Sequence, residues 1–320
     1  MRTIFAIAAL AATALPAAAA ETFPARPVRM LVPSTPGGSV DTFARLVGGR
    51  LSERWGQQVV VDNRPGAGGV IAAEFTAKAN PDGYTLIMGT VASMATNVTL
   101  TKNLPYDPVR DLAPITLVAT QNLLLLVTPS VPAQSVKELV ALAKSQPGKL
   151  SFSSAGNGTG GHLSGELFKL LAGVQMLHVP YRGVAPAIID VVNGQVTMTF
   201  ASINSALPQM RSNRLRGLAV TGAKRSPAAP ELPTMMEAGV KDYVSTTWYG
   251  VSGPGKLPPA LVKRLHSDIT AVIAMPDVHE RIAADGAEPV GNTPEQFAAF
   301  VKSEIEKWRR VIEAAGLKPN

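Results

Sequence analysis

From Val28 onward one grammar repeats: a short apolar run, a cluster of glycine and proline, then apolar residues at helical spacing. Val28–Val32 leads through Pro33-Ser34-Thr35-Pro36-Gly37-Gly38 into a helix with Val40, Phe43, Ala44, Val47 and Leu51 on one face. A strand over 59–61 closes at Asn63-Arg64-Pro65-Gly66-Ala67-Gly68-Gly69. A helix over 71–79, a turn at Asn80-Pro81-Asp82-Gly83 and a strand over 84–88 follow. Strand, helix and strand joined by such short turns predict a parallel sheet with helices on both faces. Much of the excess of 28 glycines and 26 prolines sits at these strand ends.

The grammar resumes with strands over 123–127, 150–154 and 176–179 and helices over 135–145 and 186–193. A further helix carries Leu163, Leu167, Leu170 and Leu171, and strands over 196–201 and 215–221 complete this stretch. After Thr246-Thr247-Trp248-Tyr249-Gly250-Val251 the chain is mostly helical. Its last helix opens on a capping box at Thr293-Pro294-Glu295-Gln296. The chain has 320 residues, more than one core usually supports, and it predicts two α/β lobes. The expected division is 21–121 and 247–320 in the first lobe and 122–246 in the second.

The N-terminus reads differently. Met1-Arg2-Thr3 precedes an Ala-rich apolar stretch that ends Ala-Ala-Ala-Ala before Glu21, the pattern of a cleavable signal peptide over 1–20 with cleavage near Ala20. Its loss removes one arginine and no acid, taking the formal charge from +7 to +6. The chain has no cysteine, which excludes disulfides, zinc–thiolate sites, iron–sulfur clusters, thiol nucleophiles and a lipid-modified cysteine. A soluble exported protein is expected. The basic runs at Arg211, Arg214 and Arg216 and at Lys307, Arg309 and Arg310 lack interleaved aromatics, so solvated faces are expected and nucleic acid is not.

Two strand–glycine loop–helix junctions carry the chemistry: Pro33 to Asp41 and Ser153-Ser154-Ala155-Gly156-Asn157-Gly158-Thr159-Gly160-Gly161-His162. Glycine lets a backbone approach a ligand closely, and the helix that follows offers unpaired N–H groups at its positive end. Facing each other across a cleft, the two would clasp an anion. Either alone reads equally as a tight turn capping a helix. Gly156-x-Gly158-x-x-Gly161 also fits the dinucleotide fingerprint, but the next strand ends His178-Val179-Pro180 without the required carboxylate. Gly250-x-x-x-x-Gly255-Lys256 imitates a phosphate loop, yet Leu257 stands where a magnesium-binding hydroxyl belongs.

Catalytic signatures are missing from the sequence: there is no Gly-x-Ser-x-Gly and no His-Glu-x-x-His. His162 and Glu166 lie one helical turn apart, which suits a plain i,i+4 pair, and His178, His266 and His279 are isolated along the chain. A triad assembled from distant segments stays open here. No cofactor or metal is called for.

Several stretches resemble a known family: Pro33-x-x-Pro36-Gly37-Gly38-x-x-Asp41-x-x-Ala44-Arg45, Val61-Asp62-Asn63-Arg64-Pro65-Gly66-Ala67-Gly68-Gly69, Asn80-Pro81-Asp82-Gly83-Tyr84-Thr85 and Leu104-Pro105-Tyr106-Asp107-Pro108. The likeness continues through Ser154-Ala155-Gly156-x-Gly158-Thr159-x-x-His162-Leu163-x-Gly165-Glu166, His178-Val179-Pro180-Tyr181-Arg182-Gly183, Gly194-Gln195-Val196 and Trp248-Tyr249-Gly250. Nearly end to end, the mature chain resembles the substrate-binding proteins of tripartite tricarboxylate transporters, the Bug receptors.

The resemblance implies an α/β, two-lobed type II periplasmic-binding-protein fold with a central cleft and crossing hinge strands. It implies a periplasmic receptor, not an enzyme, that delivers a small di-, tri- or aromatic carboxylate to membrane permease subunits of such a transporter, and a monomer is expected. The matching binding positions are Ser34, Thr35, Gly37, Gly38 and Asp41 in the first loop and Ser154, Ala155, Gly156, Gly158, Thr159 and His162 in the second. Thr90, Ser93, Tyr181 and Trp248, near strand ends or crossings, are further pocket candidates that ordinary core packing explains equally well. Two departures stand out. Ser34 occupies a position that is often aromatic in the family, and Ala201 follows Phe200 where an acid is frequent. With no acid to pair an ammonium group, the ligand is expected to be a carboxylate without a positive amine. The same module could serve a signalling system instead of transport, and a periplasmic hydrolase is the remote third reading.

Overall fold

A computed structural model describes residues 23–319, so the expected signal peptide and its cleavage site near Ala20 lie outside the described residues. Strand β1 (Val28–Val32) lies between β2 (Val59–Asn63) and β3 (Thr85–Thr90) and runs parallel to both. Helices α1 (Ser39–Trp55) and α2 (Val70–Ala77) make the connections. Val28, Met30 and Val32 enter one core with α1, while Leu31 enters another with Val70 and Ala73 of α2. From Met30 to Val32 both faces of the strand are covered, and that part of its sequence is continuously apolar, while Arg29 is exposed. Past β3 the chain makes a π turn over Ala92–Thr96 and a short α3 (Asn97–Leu100).

Strand β4 (Leu112–Val127) is sixteen residues long and belongs to both halves of the molecule. Up to Asn122 it pairs with β9 (Thr246–Pro254); from Leu123 it pairs with β7 (Met198–Ser202) and β8 (Arg216–Val220). The chain returns at Ser245, whose N–H donates to the Thr221 carbonyl at 2.9 Å. Around this crossing the second half repeats the first. Strand β5 (Ser151–Ser154) lies parallel between β6 (Leu177–Pro180) and β7, joined through α5 (Gly160–Ala172) and α6 (Val184–Val192), with α4 (Val136–Ser145) preceding β5. The architecture is α/β and two-lobed, with strand order β2-β1-β3-β9-β4-β7-β5-β6.

The expected parallel sheet is corrected to a mixed one. Pairs β3–β9, β4–β9, β4–β7 and β4–β8 are all antiparallel, because the crossing strands enter each lobe without a crossover helix. The first eleven residues of β4 carry no clean strand signal, since Pro114 sits inside them, where the register shifts in a bulge. Helix α7 (Ile203–Arg211) was likewise hidden by its internal Pro208. From β9 the chain returns to the first lobe through α8 (Pro259–Ile273), α9 (Pro276–Ala284), β10 (Ala287–Pro289) and α10 (Pro294–Ala314), with the Thr293 capping box in place.

Candidate functional site

Between the lobes lies a cavity bounded by the starts of α1, α5 and α6, the end of β3 and the inner face of the crossing strands. It offers about 80 Å³ to the centres of water-sized bodies. One water needs ~10–15 Å³ by that measure, so there is room for roughly six waters or one small organic molecule. Among the described residues no charged side chain lines it. Its polar edge is made of Ser34, Ser39, Thr90, Thr159, Thr247 and Tyr249, and its apolar wall includes Val40, Leu123, Val184 and Phe200.

Helix ends supply the electrostatics. Gly38 caps α1 and Thr159 caps α5, neither with a side-chain cap bond, and no acid occupies the first turn of α5. Ser39 and Val40, and Gly160 and Gly161, all border the cavity. First-turn N–H groups have no carbonyl inside their own helix, so two sets of donors and two positive dipole ends open on one space. A helix terminus contributes ~0.3–1 kcal/mol towards holding an anion, and up to ~2 when partly buried; α5 offers this in full, whereas the first-turn carboxylate of Asp41 offsets part of it at α1.

Both loops are braced from behind. Asp41 is buried and accepts from the Gly37 N–H at 3.1 Å, Asn63 Nδ2 at 2.9 Å and Arg45 Nε at 3.1 Å. Burial alone would raise its pKa, but the hydrogen bonds from Arg45, Asn63 and Gly37 outweigh this and hold the carboxyl below its ordinary value. In the second loop the Gly158 N–H donates to His162 Nδ1 at 3.0 Å. The ring of His162 stacks on His178 with centroids 4.0 Å apart, and His178 Nε2 lies 2.7 Å from Ser154 Oγ. Burial, the neighbouring His178 and Lys169 push His162 down to about 3, and burial and Lys169 push His178 down to about 4. Both imidazoles are neutral at pH 7.

Of the residues singled out from sequence, Ser34, Gly38, Thr90, Ala155 and Thr159 border the cavity. Gly37, Asp41, Ser154, Gly156, Gly158 and His162 lie in the loops or behind them, as frame. Thr35 packs against Gly183 across the cleft, an ideal Cβ on which would stand 1.9 Å from Thr35 Oγ1. Ser93 closes the turn after β3, its hydroxyl accepting from the Thr90 N–H at 2.9 Å. Tyr181 spends its hydroxyl on Asp190; burial and that bond push the phenol up to about 12. Ala201 faces an apolar cluster with Leu124, Ile188 and Ile203. Trp248 is in the core, where its Nε1–H donates to Glu304 at 2.9 Å. The isolation expected of His178 is corrected: pairing of β5 with β6 sets His178 opposite Phe152 and against His162.

The cavity takes residues that sequence reasoning passed over. Thr247 and Tyr249 flank Trp248 and face the cavity while Trp248 faces away; Ser202 does so beside Ala201. Gly68, from the loop after β2, also reaches it. Around the rim the lobes touch. Thr96 Oγ1 donates to the Gly158 carbonyl at 2.8 Å, Ser39 Oγ to Asn204 Oδ1 at 2.9 Å, and Ser205 Oγ to the Gly37 carbonyl at 3.4 Å. Among the described residues no group of three or more His, Asp or Glu is placed to hold a metal ion, and no helix is long and apolar enough to cross a membrane.

Comparison with known proteins agrees with this architecture. Residues 43–317 match the family described as tripartite tricarboxylate transporter family receptor. Protein BugT of Bordetella pertussis is 38% identical over 300 residues, covering 93% of this chain and 92% of BugT. A solved structure of Rpa4515 of R. palustris with adipate superposes with a TM-score of 0.90 at 39% identity, covering 93% of this chain and 100% of that one. The structure of MatC from Rhodopseudomonas palustris with bound malate gives 0.86 at 32% identity, covering 91% and 100%. The chain belongs to the tripartite tricarboxylate transporter receptor family.

Proposed function

We propose that this protein is an exported solute receptor that captures one small carboxylate between its lobes and delivers it to a tripartite membrane permease. The observation that carries this reading is the opening of α1 and α5, one from each lobe, on a single cavity without charged side chains. Helix-end N–H groups replace the hydration of a carboxylate, and the apolar wall suits a short hydrocarbon body. The relatives solved with adipate and malate support the same ligand class. With no acid on the cavity wall, an ammonium group would be left unpaired, so the ligand is an acid without a positive amine. Chemistry is not expected of the site. The Ser154–His178 contact is the nearest approach to a catalytic pair, but Ser154 is 1% exposed and also receives the Gly156 N–H. The signal-peptide pattern over 1–20 supports export to the periplasm, where we expect the protein to diffuse as a monomer.

A thermal-shift and calorimetry panel on the mature protein tests this, using adipate, malate, citrate, benzoate and glutamate. A true ligand at 100 times its Kd stabilises the fold by ~2.7 kcal/mol. Absence of a shift with every carboxylate removes the anion-clasp reading. Tight glutamate binding removes the exclusion of amines.

A further inference from the structure

We propose that His162 and His178 are positioning residues: without touching the ligand, they hold the second glycine loop in its binding shape from behind. The inference rests on the receptor reading and adds to it the element that fixes half of the anion site. That half is backbone, and its aim depends on how the segment from Ala155 to Gly161 is held.

The loop is irregular. Gly156 and Gly158 have φ of 134° and 74°, so neither sits in a well that an ordinary side chain favours. Such a backbone keeps one shape only where neighbours fix it. Thr96 Oγ1 and Thr159 Oγ1 hold the carbonyls of Gly158 and Gly156, at 2.8 Å and 2.7 Å, while the N–H groups of the same two glycines are held by contacts that lead to the histidines. The Gly158 N–H points inward to His162 Nδ1 at 3.0 Å, which requires that nitrogen to be bare and puts the ring proton on Nε2, 3.7 Å from Glu166 Oε1. Ser154 Oγ accepts from the Gly156 N–H at 3.2 Å, lies 3.0 Å from the Gly156 carbonyl, and meets His178 Nε2 at 2.7 Å.

The two rings stack at 4.0 Å and 20°, and Phe152 of β5 closes the stack 4.9 Å beyond His178. From α5, Glu166 and Lys169 are the charged groups at this cluster, paired to each other at 2.7 Å. The depressed imidazole pKa values fit a pair built to stay neutral, since an imidazolium at position 162 could not accept from Gly158. The N–H groups of Gly156 and Gly158 are thereby spent on the brace, which leaves the first-turn donors of α5 at Gly160 and Gly161 for a ligand.

The test separates the brace from bulk stability by isosteres. Asparagine places its carbonyl oxygen close to the position of Nδ1, whereas glutamine reaches only to that of Nε2. Adipate is the probe, with Kd measured by calorimetry and the fold followed by thermal melting. His162→Gln and His162→Leu are expected to weaken adipate binding tenfold or more, and His162→Asn to recover it to within about threefold of the parent. Ring ¹⁵N spectra of the ligand-free protein are expected to show Nδ1 of His162 unprotonated at pH 7. Parental affinity in His162→Leu, or equal loss in the asparagine and glutamine variants, overturns the proposal. Should the glutamine and leucine variants fail to fold, Ser154→Ala carries the same question at the other brace: tenfold weaker binding supports it and unchanged binding overturns it. A wild-type protein that binds none of the carboxylates overturns the receptor reading; the ring spectra then still decide the brace, a protonated Nδ1 overturning it and a bare one supporting it.

Discussion

Acidification should destabilise this protein well before its carboxylates titrate, through the two stacked histidines. In the unfolded chain both imidazoles titrate near 6.5, whereas in the fold they lie at about 3 for His162 and about 4 for His178. Between pH 8 and about 5.5 the unfolded state therefore takes up nearly two protons that the native state refuses, so stability falls as pH falls. One pKa unit corresponds to ~1.4 kcal/mol, and lowering the pH to about 5.5, one unit below the unfolded value, costs ~1.4 kcal/mol for each ring and about 3 kcal/mol for the pair. The loss continues until the native rings themselves protonate, near 4 and then near 3. Burial is the main cause for both; His178 and then Lys169 add repulsion at His162, and Lys169 adds it at His178. Urea unfolding at half-unit pH steps measures this directly. The control is His162→Asn combined with His178→Gln, which retains hydrogen-bonding atoms near Nδ1 and Nε2 but cannot titrate. Its stability should vary with pH by about 3 kcal/mol less than the parent over that interval. Parallel curves for the two proteins would refute the reasoning, since they would mean that the rings protonate as readily folded as unfolded.

Other expectations are simpler. Gly68→Ala would place a Cβ 2.4 Å from the Asn157 carbonyl across the cleft, at a φ of 61°, so saturating ligand should fail to compact the protein in small-angle scattering and affinity should fall at least tenfold. Asn204→Ala removes the acceptor of Ser39 at the rim, and a hydrogen bond worth ~0.5–1.5 kcal/mol predicts a ligand off-rate faster by about two- to tenfold in stopped flow. Trp248→Phe loses the bond to the buried Glu304, and melting should show ~1–3 kcal/mol of lost stability with Kd unchanged; a large loss of affinity would return Trp248 to the pocket. Because no charged side chain among the described residues lines the cavity, Kd for adipate should move less than about threefold between ~0.05 and ~0.5 M salt, a range that screens exposed charge pairs strongly.

The loops were legible in the sequence because glycine and proline mark strand ends for a stereochemical reason that does not depend on tertiary structure. Ser34, Gly38, Ala155 and Thr159 follow from that alone. Strand faces were not legible. Trp248 and Ala201 were chosen where Thr247, Tyr249 and Ser202 are the ones that face the cavity, an error of one residue that inverts the face in a strand. Alternation could not correct it, since β7 is buried throughout and β9 nearly so, and both lack the polar side that reveals orientation. His178 is sixteen residues from His162 and on another element; only the β5–β6 pairing brings them together. Gly68 sat in a motif read as a closing turn, and nothing local distinguishes a turn that ends a strand from one that reaches across to a partner lobe.

On the proposed reading, an anion site divided between α1 and α5 has a mechanical consequence. Each lobe is one arm of a bidentate host, and closure turns the second arm's contact into an intramolecular event at high effective concentration. Gains of ~10²–10⁴ over a single arm are typical of such linkage. Parting the lobes forfeits that factor at once, without a proton, an ion or a competing charge. Unloading then needs only a surface that spreads the rim where Ser39 meets Asn204 and Thr96 meets Gly158, and the force that opens the molecule is also the signal that lowers its affinity.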